Sequence, residues 1–328
     1  MVVFRVDGTH AVGFGHFFRC LALADAFRVA GWDVVFAGTV PDFMAPQLAG
    51  MTTTGPLPGG SADWQQPIFQ EAIQGADLLV TDMYAIDRAW RAMSPIPVVA
   101  IADDPDEVGD AALGVLPTWF NPTDGAPHML TAPDHVLIRR DFQRLRHEPK
   151  RGDRLLINCG GGDDKGLTLA VLRALREAAP LRSLGGTVVL GAADDAYVRA
   201  VTEALSGLPR MQLRTAVRDM AELVAAHDWA FGCPAGAALE RACLGLAQVL
   251  TPIATNQAAL GAAFAARGAA QLLPAGASAE EISSTLAALL GDPRRRSALA
   301  ASGFAMIDGR GPARVVVAAE ELLGDLRA

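Results

Sequence analysis

Four short segments of this 328-residue chain carry side chains or backbone suited to chemistry. The first is Gly13-Phe14-Gly15-His16-Phe17-Phe18-Arg19. Its glycines permit a tight turn and let a ligand approach the backbone, and a helix opening there offers free N–H groups. An imidazole at that opening is placed to exchange a proton near neutral pH. A plain structural turn, with His16 capping it, satisfies the same residues. The second is Cys159-Gly160-Gly161-Gly162-Asp163-Asp164. Three successive glycines suit a ligand loop, and close packing would use them equally well. The third is Gly232–Leu246, where Glu240 falls one helical turn after Gly236. A carboxylate there can accept both hydroxyls of a ribose; as a lone glutamate it can also be a solvated helix charge. The fourth is Asn256-Gln257, a polar pair at a helix start that could orient a ligand or simply cap the helix.

The elements that must position these segments are legible as alternating short apolar runs and helical patterns. Val2–Val6, Asp33–Ala37, Asp77–Thr81 and Val98–Ala102 read as strands. Phe17–Ala30 reads as a helix, with Leu21, Leu23, Ala24 and Phe27 on one stripe and Gly31 as its stop. Arg144–Arg154 is charged and contains Pro149 and Gly152, which predicts a linker. The alternation then restarts: strands at Arg154–Asn158, Gly186–Leu190, Trp229–Phe231 and Gln248–Thr251 alternate with helices at Leu167–Ala178, Ala196–Leu205, Ala237–Leu244 and Asn256–Arg267. Such alternation predicts an α/β chain of two Rossmann-like domains, 1–147 and 153–328, facing a central cleft. Ligands in such sheets bind beyond the carboxyl ends of the strands.

Composition narrows the function further. Acidic residues number 36 against 28 Lys+Arg, a net charge of −8, which argues against a nucleic-acid binder. Four cysteines without a C-x-x-C pair give no disulfide framework and no zinc motif. No run reaches 18 apolar residues, and the N-terminus lacks a basic segment before a long apolar core. A soluble, cytoplasmic protein with no membrane span is therefore expected; its oligomeric state is left open.

Taken in order, these residues resemble a known family. The N-terminal pattern Asp7-x5-Gly13-x-Gly15-His16-x-x-Arg19-Cys20-Leu21-x-Leu23-Ala24 is similar to that of the UDP-2,4-diacetamido-2,4,6-trideoxy-β-L-altropyranose hydrolases of the pseudaminic acid pathway. Asp82-Met83-Tyr84-Ala85-Ile86-Asp87, Ile101-Ala102-Asp103-Asp104 and Leu137–Phe142 resemble further family segments. So do Gly160–Asp163, Glu240–Leu246 and Asn256-Gln257. The resemblance implies a GT-B-like fold and an inverting hydrolase. Water attacks the anomeric carbon, UDP leaves, and the free sugar enters nonulosonic acid biosynthesis of the kind that serves flagellin glycosylation. His16 would be the base, with Tyr84 and Asn256 near the sugar. Gly13, Gly15, Arg19, Asp7, Gly160, Gly161, Gly162, Gly236, Glu240 and Gln257 would bind or frame the UDP-sugar. No cofactor and no metal is implied.

The sequence also departs from the family. Pro234-Ala235-Gly236-Ala237-Ala238-Leu239 stands where the family has G-G-S-T-T-W, so three hydroxyls are lost and Pro234 removes one N–H. Gly162 replaces Ser or Thr, and Met83 replaces a histidine. Two other functions stay compatible with these changes. One is a glycosyltransferase of the same fold, in which an acceptor hydroxyl replaces water. The other is a catalytically degenerate binding relative.

Overall fold

The computed structural model describes residues 1–8, 14–40, 42–83, 86–121, 128–146, 152–160, 165–191 and 193–327. The chain forms two compact units. One is Met1–Arg140 together with Gly309–Ala328; the other is Asp141–Asp308.

The first unit holds seven strands: β1 Val2–Arg5, β2 Val34–Ala37, β3 Thr52–Thr53, β4 Leu78–Thr81, β5 Val98–Ile101, β6 Leu113–Leu116 and β7 Met129–Thr131. Their order across the sheet is β3-β2-β1-β4-β5-β6-β7. Every pair is parallel. The central strands are buried along their length, as parallel strands covered on both faces must be. The helix Gly15–Val29 follows β1 and lays Phe17, Leu21, Leu23 and Phe27 onto the sheet. Phe4 stacks on Phe36 with ring centroids 5.3 Å apart and meets Phe27 edge-on at 6.1 Å.

The second unit repeats the plan with β8 Leu155–Asn158, β9 Gly186–Leu190, β10 Met211–Thr215, β11 Trp229–Gly232, β12 Ala247–Leu250 and β13 Gln271–Leu272. Their order is β10-β9-β8-β11-β12-β13, again all parallel. In each sheet the strand order reverses beside the first strand, at β1/β4 and at β8/β11. Those switch points are where an open α/β sheet leaves a crevice for a ligand.

The unit boundaries differ from 1–147 and 153–328. The C-terminal helix Gly311–Arg327 returns to the first unit because Val315, Val316, Ala319 and Leu323 complete the same core as Phe4 and Phe17. Residues 141–146 belong to the second unit. There Arg146 donates to the carbonyls of Cys243, Phe304 and Ile307 at 2.8, 2.6 and 2.5 Å. Five residues of the linker, 147–151, lie outside the described residues. No described helix is long and apolar enough to cross a membrane.

Candidate active site

The first unit gathers its polar side chains at one edge of the sheet. His16 and Arg19 sit in the first turns of the helix that follows β1. Asp82 comes directly after β4, Asp103 two residues after β5, and Thr118 two residues after β6. These four strands are neighbours and parallel, so their carboxyl ends lie side by side and bring together residues up to a hundred positions apart.

Asp82 is the hub. Its side chain is 1 % exposed and accepts from His16 Nδ1 at 2.5 Å. It also accepts from Arg19 Nε at 2.6 Å and Arg19 Nη2 at 2.7 Å. The Cys20 thiol lies 3.6 Å away. Arg19 Nη1 donates to Asp103 Oδ1 at 2.5 Å, and the Thr118 hydroxyl reaches the same oxygen at 3.4 Å. Arg19 Nη2 also comes within 3.0 Å of His16 Nδ1. A ring nitrogen 2.5 Å from a carboxylate oxygen needs a proton between them, so the consistent arrangement has His16 Nδ1–H donating to Asp82, and the approach of Arg19 Nη2 to Nδ1 is then a contact and not a hydrogen bond. In that tautomer Nε2 is the nitrogen that carries the ring's lone pair.

Charge follows from this geometry. Burial works against the Arg19 guanidinium, but Asp82 and then Asp103 outweigh it and raise its pKa above the ordinary arginine value. Burial pushes the Cys20 thiol well up, with Asp82 adding to the shift and Arg19 opposing it.

Three expected site residues are occupied elsewhere. Asp7 does not meet His16. One of its oxygens accepts from Thr39 N at 2.7 Å, and the other lies 3.0 Å from Arg5 Nη1. Arg5 is fully buried and also pairs with the equally buried Asp63 at 2.7 Å. This cluster ties β1 to β2, and only glycine suits position 38 there, where φ is +143° and a Cβ would strike Val6 O. Arg19 belongs to the Asp82 cluster, where its guanidinium is bonded to Asp82 and Asp103. Gln257 accepts from Ile253 N at 2.9 Å, so its carbonyl braces its own turn. Gly13 and Tyr84 lie outside the described residues.

In the second unit, Gly160 follows β8 with φ +134°, and a Cβ there would meet nothing within 4 Å. Gly161 and Gly162 lie outside the described residues. The helix Gly236–Cys243 starts with exposed Gly236 behind an N-cap, Ala235, that has no side-chain bond. Glu240 is half-buried one turn in, and Asn256 is exposed. Beneath them lies a residue that sequence reasoning passed over. Arg241 is fully buried; it donates to Gln248 Oε1 at 2.8 Å, Asn158 O at 3.1 Å and Cys233 O at 3.3 Å. Gln248 Nε2 in turn donates to Ala238 O at 2.9 Å. Burial lowers the Arg241 pKa to about 10, which still leaves it charged at neutral pH. The network therefore fixes the ends of β8 and β11 and the first turn of the helix. Among the described residues no three His, Cys, Asp or Glu side chains converge to hold a metal ion.

Two parallel sheets of this strand order make two Rossmann-like units, the plan of a GT-B-like fold. The chain matches MurG of Acinetobacter baumannii with a TM-score of 0.68 at 17% identity, over 98% of this chain and 99% of that one. It matches the spinosyn rhamnosyltransferase SpnG, complexed with thymidine diphosphate, with a TM-score of 0.64 at 17% identity, over 98% and 100%. These likenesses establish the fold. In sequence, the chain is 25% identical over 203 residues to the spore coat polysaccharide biosynthesis protein SpsG of Bacillus subtilis (strain 168). That match spans 60% of each protein. No protein-family model matches the chain.

Proposed function

We propose that this protein is an inverting enzyme that breaks the anomeric C–O bond of a nucleoside diphosphate sugar, with His16 as general base. The observation that carries the reading is the buried Asp82–His16 pair, which directs Nε2 to take a proton. In the step, an acceptor O–H gives its proton to His16 Nε2. The oxygen forms the new bond to the anomeric carbon, and the nucleoside diphosphate departs with the electron pair of the broken bond. Backbone amides at Gly236–Ala238 hold the diphosphate in place of the missing hydroxyls, since a helix N-terminus favours an anion. Glu240 takes the ribose hydroxyls, and Asn256 and Tyr84 orient the sugar. UDP is the expected nucleotide, from the family resemblance.

Glycosyl transfer to a hydroxyl acceptor is the leading form of this reaction. It is supported by the glycosyltransferase fold and by the likeness to SpsG, whose name places that protein in polysaccharide biosynthesis. Hydrolysis, with water as acceptor, is the second form. It is favoured by the ordered resemblance of the His16, Asp82 and Asp103 segments to the altropyranose hydrolases. Turnover of the UDP-diacetamido-trideoxy sugar in ¹⁸O-water, with and without saccharide acceptors, tests both. Sugar appearing on an acceptor supports transfer, and label on the free anomeric hydroxyl supports hydrolysis. Label in the β-phosphate of UDP means P–O cleavage and overturns the reading. Absence of any UDP binding in calorimetry would leave only the degenerate binding relative.

A further inference from the structure

We propose that the buried Arg241 guanidinium supplies positive charge that holds the diphosphate at the switch point of the second sheet. The inference rests on the reading of that edge as a nucleoside diphosphate site and deepens it. Arg241 is 1 % exposed. Its hydrogen bonds end on neutral oxygens: Gln248 Oε1 at 2.8 Å, Asn158 O at 3.1 Å, Asn158 Oδ1 at 3.4 Å and Cys233 O at 3.3 Å. The titratable groups that act on it are Cys159, Cys233 and Glu240. Both cysteines are buried thiols, and half-buried Glu240 has the smallest influence of the three. By contrast, Arg5 is paired with Asp63 and Asp7, and Arg19 with Asp82 and Asp103. Among the described residues no carboxylate is bonded to Arg241. A buried cation without a counter-charge is costly, and an anion arriving beside it offsets that cost.

Its place in the fold says where that anion sits. Asn158 ends β8, and Cys233 directly follows β11. The guanidinium lies so close to the end of β11 that a Cβ on Gly232 would meet its nitrogens at 2.9 and 3.0 Å. The side chain runs back along its own helix, since Gln248 links it to Ala238 O one turn earlier. The cation therefore lies beside the N-terminal end of that helix, where the macrodipole is already positive. Two sources of the same sign stand together there. Arg296 shows the opposite arrangement. It too is buried and bonded to carbonyls, those of Leu289 and Leu290, but these close the C-terminal end of the helix Ala279–Gly291, and the dipole there answers its charge. Arg241 does not touch the ligand in this scheme. It sets the affinity for negative charge and leaves the chemical step to other groups.

The test compares ligands of falling charge on the whole chain: UDP and UMP by calorimetry, and uridine by ligand-detected NMR. Arg241→Met removes the charge. Arg241→Met combined with Gln248→Leu removes it together with its side-chain partner, and serves if the single variant does not fold. Both should bind UDP about 10–100-fold more weakly than wild type, UMP with a smaller loss, and uridine within about twofold, the scale of one charge acting over several ångströms in a partly screened interior. Arg241→Lys keeps the charge but not the planar fork, so it should recover most of the UDP affinity even where it melts lower. A purely bracing role would weaken the three ligands alike, and lysine would not restore binding. Equal losses for UDP and uridine, or UDP affinity unchanged in the charge-free variants, overturns the proposal and leaves the nucleotide reading in place. A wild-type protein that binds neither UDP nor inorganic pyrophosphate overturns the diphosphate reading itself and this proposal with it.

Discussion

A histidine serves as a base through one nitrogen when the other is held protonated, and at His16 the holding falls to Asp82. Asp82→Asn would present an amide to Nδ1 and favour the opposite tautomer. We expect kcat to fall by about 10²–10⁴-fold, with UDP affinity within a few-fold of wild type in calorimetry. The same change leaves Arg19 with a weaker partner, so the melting temperature must be measured beside the rate. Reactivity of the thiols gives an independent check on this environment. All four cysteines are buried, and none forms a disulfide. Burial lifts Cys243 to about 11, with Arg146 opposing the shift, and Cys20 is raised by burial and by Asp82. Iodoacetamide at pH 7.5 should therefore label none of the four in the native protein and all four after denaturation, counted by mass spectrometry. Of this site, His16 and Arg19 were legible in the sequence because they share one loop and helix. Asp82 and Asp103 were visible only as motif matches without a role, because nothing local says that β4 and β5 lie next to β1. The signal that could have found them is an aspartate at, or two residues past, the carboxyl end of an apolar run. The bonds of Asp7 and Gln257 were hidden for a related reason: each accepts from a backbone N–H that a motif does not reveal.

At the scale of elements, the central strands of both sheets and the helices Gly15–Val29, Leu167–Glu177, Asp195–Ala204, Gly236–Cys243 and Ala258–Ala266 follow from the apolar pattern, and two of the exceptions have plain causes. β6 was missed because Gly114 interrupts a four-residue run, and β10 because it is an edge strand with exposed Gln212 and Arg214. The helix Gly236–Cys243 was anticipated, but not what fastens it. Arg241 and Gln248 form one buried unit that ends on Ala238 O, so removing either strands the other. Gln248→Leu should lower stability by about 3 kcal/mol in urea unfolding, since it leaves a buried guanidinium N–H unpaired and removes the bond to the Ala238 carbonyl. Arg241→Met combined with Gln248→Leu should cost less than the sum of the two single changes. A strictly additive pair would mean that the two do not act together. Glu240→Ala addresses ligand binding on the same helix. It should weaken UDP binding about 10–100-fold with little effect on unfolding, the size of a charge-assisted bond to ribose.

At the scale of the molecule, the sequence announced two α/β units but not that the chain returns to the first. The last helix carries no chemistry and follows a long polar-apolar stretch, so only its packing on the helix Gly15–Val29 assigns it. Asp77 sits at that closure. It accepts from the N-terminal ammonium at 2.8 Å and from Arg327 Nη2 at 2.6 Å. The bond to the N-terminus is the largest cause that lowers its pKa below the usual 3.8, burial opposes it, and Arg327 contributes less. A depressed carboxyl pKa means that the folded state binds its proton less readily than the unfolded chain. Its contribution is therefore full above about pH 4 and is lost as pH falls through the lower folded value. Asp77 is 38 % exposed, so solvent screening holds the effect to about 1 kcal/mol or less. Asp77→Asn should thus melt slightly below wild type at pH 7, and the two melting curves should converge near pH 2. Divergence that persists at pH 2 would place the effect in packing instead of charge. The position matters beyond the pair itself. Arg327 ends the helix whose Val315, Val316, Ala319 and Leu323 back the helix bearing His16 and Arg19. Loosening that closure should therefore appear as faster hydrogen exchange in Gly15–Val29 at pH 7, while the amides of β8 and β11, which belong to the other core, keep their protection.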